Sequence, residues 1–407
     1  MFIWTKSRKQ KLYFSLILGI TLSCLIVWLK DDIATSSLKR GDFPAFYAAA
    51  EIIYSGRAAD LYRPEVQREV ENVHWASLNG TYYAFAYPPY VALLLSPLAL
   101  LSALQAKVLF TILLVLSLAG AAVVLRRLRP EATTFELFIA MLCFAPIFSA
   151  VPAGQNTSLG ILLYALSIYF ASKRTHWGEV LAGVALGLWL FKPNFALIAL
   201  GFVFLGGRYR MLLGAMLPAF VYYVAGVLVL GFDWPKEWVE AIANFAKLDL
   251  IFNRHQMVSL SGVADAIVHS LELGPRASVV VYSSLFLLGL VVFATTAFQF
   301  MLFVTKKRSG AHLEHALYLL APAVILLSPH TLYYDLGFLA VPFARYQKVT
   351  TDRDFHWLFI LFFIVFVLTF LKQIFPIQPL AALAVGGYFW TLSAVRAHLE
   401  STSHEAG

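Results

Sequence analysis

Apolar runs recur from one end of this 407-residue chain to the other, several of them about 20 residues long, the length that crosses a bilayer core as a helix. That feature leaves few folds open. Inside lipid every backbone amide must find its partner within the protein, so such a chain folds as a bundle of helices. The runs are 12–29, 105–125, 133–151, 156–172, 178–191, 194–206, 211–230, 277–304, 313–328, 332–344, 356–371 and 377–395. Charged residues make up only 13%, against roughly 25% in soluble domains. Cys24 and Cys143 both fall inside apolar runs and act as small hydrophobes, supplying no disulfide or metal framework. The formal charge of +8 is spread as short basic clusters between the runs, a topology signal rather than a nucleic-acid footprint.

Those clusters set the orientation. Lys6, Arg8, Lys9 and Lys11 precede the first run, which is too long for a signal peptide and lacks a small-residue cleavage site, so it is expected to stay as an uncleaved helix. Arg126, Arg127 and Arg129, then Lys173 and Arg174, Arg208 and Arg210, Lys306, Lys307 and Arg308, Arg345 and Lys348, and finally Arg396 follow alternate runs. All of them are cytoplasmic, with both termini inside, if the chain crosses twelve times. That count requires a break at Lys192-Pro193-Asn194, because 178–206 read as one helix would reverse everything beyond it. Proline removes a backbone donor and disfavours helix at the residue before it, so the break has a local cause. Each half is then only about 18–21 Å long, and the tip is expected below the outer surface, screened by protein.

The chain reads as one polytopic domain, 1–407, with two large non-cytoplasmic loops, 30–104 and 231–276. In the first, Phe43–Tyr54 and Pro64–Trp75 have near-helical apolar spacing and are expected as short helices on the membrane surface. Pro89–Leu101 is too short to span and is interrupted by Pro97, so it is expected as a re-entrant or surface helix. The unusual polar residues gather on this outer side, at helix ends or breaks: Asp42, Gln155 and Asn156, Lys192 and Asn194, Arg254, His255 and Gln256, and His330. Polar groups at membrane depth are expensive and usually line a site. Each also has a plainer explanation. Asp42 before Pro44 is a good helix N-cap, Gln155-Asn156 could cap the helix beginning at Thr157, Lys192 could anchor at the headgroups, and His255 and His330 could be ordinary loop or break histidines. No glycine-rich phosphate loop, His-Glu-x-x-His or Cys-x-x-Cys is present, and no cofactor or metal is demanded.

Gly41-Asp42-Phe43 with Phe46-Tyr47, Ala49-Ala50, Gly56 and Leu61-Tyr62 resembles the first-loop pattern of glycosyltransferase family 87. Tyr87-Pro88-Pro89, Leu93-Leu94, Pro97-Leu98, Gly154-Gln155-Asn156, Ala182-Gly183, Gly187, Lys192-Pro193 and Ser328-Pro329-His330 continue the resemblance, which covers about residues 40–345. The stretch Asn253–Leu260 departs from the run expected in the second loop. The resemblance implies an all-α GT-C-type bundle and a polyprenyl-phosphate sugar donor such as a mannosyl lipid. It implies inverting transfer to a glycolipid or glycan acceptor on the outer face, with Asp42 as general base.

On placement alone, Lys192, His330 and Arg254 or His255 are assigned to the departing phosphate. Phe43, Tyr47, Tyr87, Pro88, Gln155, Asn156, Asn194 and Gln256 are expected around the substrates, and the lipid tail near the Tyr87–Leu101 helix. A flippase for lipid-linked sugars and a ligase moving a larger glycan or phospho-sugar are the competing functions. A flippase would show inverted repeats and polar residues on both sides, and neither is seen in the sequence.

Overall fold

Helix is almost the whole of the regular structure in this computed structural model, which is 81% helical. It describes residues 15–16, 18–24, 26, 41–75, 82–305, 311–347, 351–371 and 374–404. The only pairing of extended backbone among them is an isolated antiparallel bridge between Met257 and Leu332. The basic leader, most of the 12–29 run, Lys306 to Arg308 and Lys348 lie outside the described residues.

Three described helices are long and apolar enough to cross a membrane: Ala103–Leu128, Tyr209–Leu230 and Pro275–Leu302. The first is opened by a capping box. Ser102 Oγ accepts from Gln105 N–H, and Gln105 Oε1 accepts from Ser102 N–H. Among the described residues only these three have the length and apolar character of a crossing, so the count of about twelve is not confirmed, and several runs are cut into pieces. Pro146 divides 133–151 into Thr134–Cys143 and Ala145–Ala150. The run 313–328 becomes Ala311–Tyr318 and Leu320–Leu327, and 332–344 becomes a 3₁₀ helix, Tyr333–Leu339, followed by Ala340–Tyr346. The break at Lys192 does form: His176–Leu188 runs through a 3₁₀ turn, Trp189–Phe191, and Pro193 starts a new helix to Leu205.

The first-loop helices fall where the spacing places them, at Phe43–Tyr54 and Pro64–His74, but they do not both lie on a surface. Phe43–Tyr54 is apolar nearly all round, and a helix of that kind is buried. Its residues from Phe43 to Ala50 are all inaccessible. Pro64–His74 is amphipathic and turns Val66, Gln67, Val70 and Glu71 inward. Two of these stitch down the segment that follows. Phe85 N–H donates to Gln67 Oε1 at 3.0 Å and Tyr83 N–H to Glu71 Oε2 at 2.8 Å. Pro89–Leu95 and the 3₁₀ turn Ser96–Leu100 form the expected short element. The hydroxyl of Tyr90 donates to Leu190 O at 2.7 Å, fastening the first loop to the Lys192 break. The second loop holds Trp234–Phe252, a turn at Arg254–Gln256 and Leu260–Ser270.

Two helices cross where only glycine fits. A Cβ on Gly183 would lie 1.8 Å from Met211 O, and one on Gly214 2.0 Å from Val180 O. Small residues at such crossings let backbones approach where lipid supplies no hydrophobic drive to pack.

Candidate active site

Asp42 occupies the N-cap position of Phe43–Tyr54, yet its carboxylate makes no capping hydrogen bond. It accepts instead from the side chain of Gln155, a residue more than a hundred positions away. Two glycines bring the segments together. Gly41 (φ +76°) and Gly154 (φ +70°) both adopt the left-handed backbone that other residues resist. A Cβ on Gly41 would fall 2.2 Å from Ala153 O, and one on Gly154 2.8 Å from Phe43 Cβ. Gly41→Ala is therefore expected to cost about 3 kcal/mol, from the positive φ plus the overlap, and to pull Asp42 from Gln155. A lowered melting temperature together with lost activity would register both effects.

Asp42 stays partly accessible, but its surroundings are protein. Burial raises its carboxyl above the ordinary carboxylate range, against the bond from Gln155 and the charges of His330 and Lys192, which pull the other way, while Asp249 adds to the rise. The interactions bring Asp42, Gln155, Lys192, His330 and Asp249 into one cluster, drawn from the two large loops, the turn before Thr157, the Lys192 break and the turn after Leu327.

The cations of this cluster are not free. Lys192 Nζ lies 2.5 Å from Asp335 Oδ1, both side chains being almost wholly buried. Asp335 also accepts from Thr157 Oγ1 at 3.3 Å and from Leu332 N–H at 3.3 Å, so its lone pairs are largely used. His330 Nδ1 lies 2.7 Å from Asp249 Oδ2, on the helix Trp234–Phe252. Asn253 Nδ2 donates to Asp249 Oδ1 at 2.7 Å and Gln256 Nε2 donates to Asn253 Oδ1 at 3.1 Å, so the second loop reaches the site through a chain of amides. Asn194 Nδ2 donates to Ser328 Oγ and to His330 O, each at 2.9 Å, and so binds the helix break to the histidine's own backbone. Burial works against the charged form of His330, but the Asp249 contact outweighs it and the imidazolium is held above the usual histidine range.

The remaining residues divide. Tyr87 receives a hydrogen bond from the side chain of Asn156 and feels the charge of Asp42. Because Gln155 and Asn156 donate through their NH₂ groups, Gln155 Oε1 and Asn156 Oδ1 are left buried without a partner. Such acceptors are costly unless something fills them. Pro88 is the buried N-cap of Pro89–Leu95. Phe43 and Tyr47 are interior: Tyr47 donates its hydroxyl to Leu101 O at 2.8 Å and Phe43 packs on Tyr47, Trp75 and Phe110. Arg254 is paired to Asp265 at 2.5 Å, and His255 gives its backbone oxygen to Gln378 Nε2 at 3.4 Å. Neither joins Asp42 in the interactions above.

Sequence reasoning missed Asp335, Asp249 and Glu71. Glu71 is fully buried and pushed up to about 8 by burial, with the Tyr83 N–H opposing and the charge of Asp42 adding to the rise. A lone carboxylate inside the apolar stretch 332–344 was the available clue to Asp335, since such a group requires a partner. Asp249 and Glu71 sit on loop helices with several other acids, and no local signal separates them.

The two titrations have opposite sense. A base at Asp42 works only as pH rises through its raised value, and a cation at His330 is lost as pH rises through its own. A bell-shaped rate profile is expected, and Asp249→Asn should move its alkaline limb to lower pH by removing the group that holds the imidazolium. The rate profiles of the two proteins, measured side by side, check this.

No curated protein and no solved structure matches the chain significantly. A family profile does, over residues 85–329, which takes in Gln155, Asn156, Lys192, Asn194 and Asp249 and stops short of Asp42 on one side and His330 on the other. The chain belongs to glycosyltransferase family 87 and is a membrane glycosyltransferase.

Proposed function

We propose that the protein moves one hexose from a polyprenyl-phosphate sugar to an acceptor hydroxyl on a glycolipid or glycan at the outer face of the membrane, with inversion. The observation that carries this is Asp42: a carboxylate that makes no capping bond and feels the charges of two cations, the buried Lys192 and the partly exposed His330. In the scheme, Asp42 takes the acceptor's proton as its oxygen attacks the anomeric carbon. The bond from that carbon to the phosphate oxygen breaks on the opposite face, and the electron pair leaves with the lipid phosphate. Inversion needs only one base on the attacking side. His330, kept cationic by Asp249, and Lys192, kept in place by Asp335, stabilise the charge that develops on the phosphate. In the scheme the unpartnered oxygens of Gln155 and Asn156 accept hydroxyl protons of the sugar. Arg254 and His255, assigned to the phosphate on sequence alone, serve in this scheme only to shape the second loop.

The test uses purified full-length protein, undecaprenyl-phosphate mannose and a panel of other hexosyl lipids, with membrane glycolipids as acceptors. A product heavier by one hexose, with the opposite anomeric configuration and release of undecaprenyl phosphate, is the expected result. Movement of intact donor across liposomes with no product would favour a flippase, and a product carrying phosphate would favour a phospho-sugar transferase. Because Lys192 and His330 supply the positive charge in this scheme, EDTA is expected to leave the rate little changed.

A further inference from the structure

A cavity lies away from the carboxylate cluster, with a volume of about 290 Å³ and walls that are almost entirely hydrocarbon. It is enclosed by Thr134–Cys143, Ala340–Tyr346, Asp352–Phe370 and Ala381–His404. Phe144, Phe343, Phe362 and Trp390 form an aromatic lining with neighbouring ring centroids 5.6–6.5 Å apart. One turn before Trp390 on the same helix, Gly386 presents no side chain, and a Cβ built there meets nothing within 4 Å. Leu361, which lines the cavity, is 39% exposed, and Trp357, Phe363 and Ile364 on the same helix are exposed too, so the cavity lies beside an exposed apolar helix face.

Two chain segments join this cavity to the site. The 3₁₀ helix Tyr333–Leu339 begins beside Asp42, with Asp335 on Lys192, and ends with Leu339 in the cavity wall. At about 2.0 Å of rise per residue the two ends are roughly 12 Å apart. The helix Ala145–Ala150 makes the same connection. Ser149 is hydrogen-bonded to Tyr333, and Phe144, at the other end, lines the cavity. An apolar cavity of this size excludes water and is expensive to leave empty. A hydrocarbon chain on a phosphate at His330 and Lys192 would reach this space by following Tyr333–Leu339.

We infer that the cavity is a binding site for the isoprenoid tail of the lipid donor, beyond the first units of the chain. The inference rests on the lipid-donor reading above. It also moves the tail from the Tyr87–Leu101 helix to the cavity at the far end of Tyr333–Leu339. Because a bilayer is as apolar as the cavity, the gain comes from close packing rather than from transfer out of water.

The experiment measures binding of undecaprenyl phosphate and geranyl phosphate to the purified full-length protein, which makes it independent of the sugar. The short chain cannot span the gap, so the wild type is expected to prefer undecaprenyl phosphate by about tenfold or more, a packing-scale difference. Gly386→Phe fills the cavity and should bring that ratio close to one, with no fall in melting temperature. Gly386→Leu, with less bulk, should give a smaller change of the same sign and serves if the larger residue misfolds. An undiminished preference in a folded Gly386 variant overturns the tail site but leaves the lipid-phosphate reading intact. Failure of the wild type to bind either phosphate counts against that reading itself. Native mass spectrometry adds a third outcome: a phospholipid displaced by Gly386→Phe, with undecaprenyl phosphate affinity unmoved, assigns the cavity to ambient lipid and overturns the proposal.

Discussion

Asp42→Asn should fold, bind undecaprenyl phosphate and lose transfer by about two orders of magnitude or more, the contribution expected of a positioned general base. The structure makes this variant unusually clean. The carboxylate is not used as a cap, so nothing in the helix Phe43–Tyr54 depends on its charge. The sign of the stability change also follows. Burial raises the Asp42 carboxyl in the folded protein, so ionising it costs folding free energy at any pH above its unfolded value, and a neutral amide avoids that cost. The variant should melt no lower than the wild type at neutral pH. A turnover near wild type in a protein with normal lipid binding would remove Asp42 from the base role.

The second large effect is expected at the Lys192–Asp335 pair. Lys192→Met leaves Asp335 as an uncompensated buried charge beside the buried Phe195 and Tyr334 rings that flank the Lys192 ammonium. Breaking such a pair from one side typically costs about 3–5 kcal/mol. Much of that loss should return in the double variant Lys192→Met with Asp335→Leu, because removing both charges removes the desolvation problem as well. Thermal unfolding in detergent reads both. The double variant is still expected to be impaired in transfer, since the cation is gone. If it bound donor and turned over normally, the pair would be a structural clamp alone. The single variant cannot separate these roles, because a fall in donor affinity would accompany the loss of fold in either case.

The local features of the chain were legible because their causes are local. Pro44 and Pro64 open their helices, Pro193 breaks the stretch after Lys192, and Pro97 cuts short the element after Pro89. The run 133–151 shows the opposite case. Its hydropathy is continuous, and only the weight given to Pro146 decides between one span and two pieces. Convergence of Asp42, Gln155, Lys192 and His330 could be expected from their shared position at helix ends. Their partners could not. Asp335 is 143 positions from Lys192 and Asp249 is 81 from His330, and nothing in a single sequence ties such residues together. The interior placement of Phe43 and Tyr47 was hidden for a related reason. An apolar helix in an outer loop has two apolar media available, and the choice between bilayer surface and protein interior depends on the walls around it.

Lys192 and His330 already rest against carboxylates, so an arriving phosphate meets no vacant hole of positive charge. It can gain only the difference between itself and the acids that are there before it. Free sulfate or phosphate, with nothing else to offer, should find little foothold. In the proposed scheme, discrimination in favour of a lipid-borne ester then belongs to its sugar and its tail, and the spent carrier, stripped of the sugar, leaves for the bilayer as the two acids reclaim their cations.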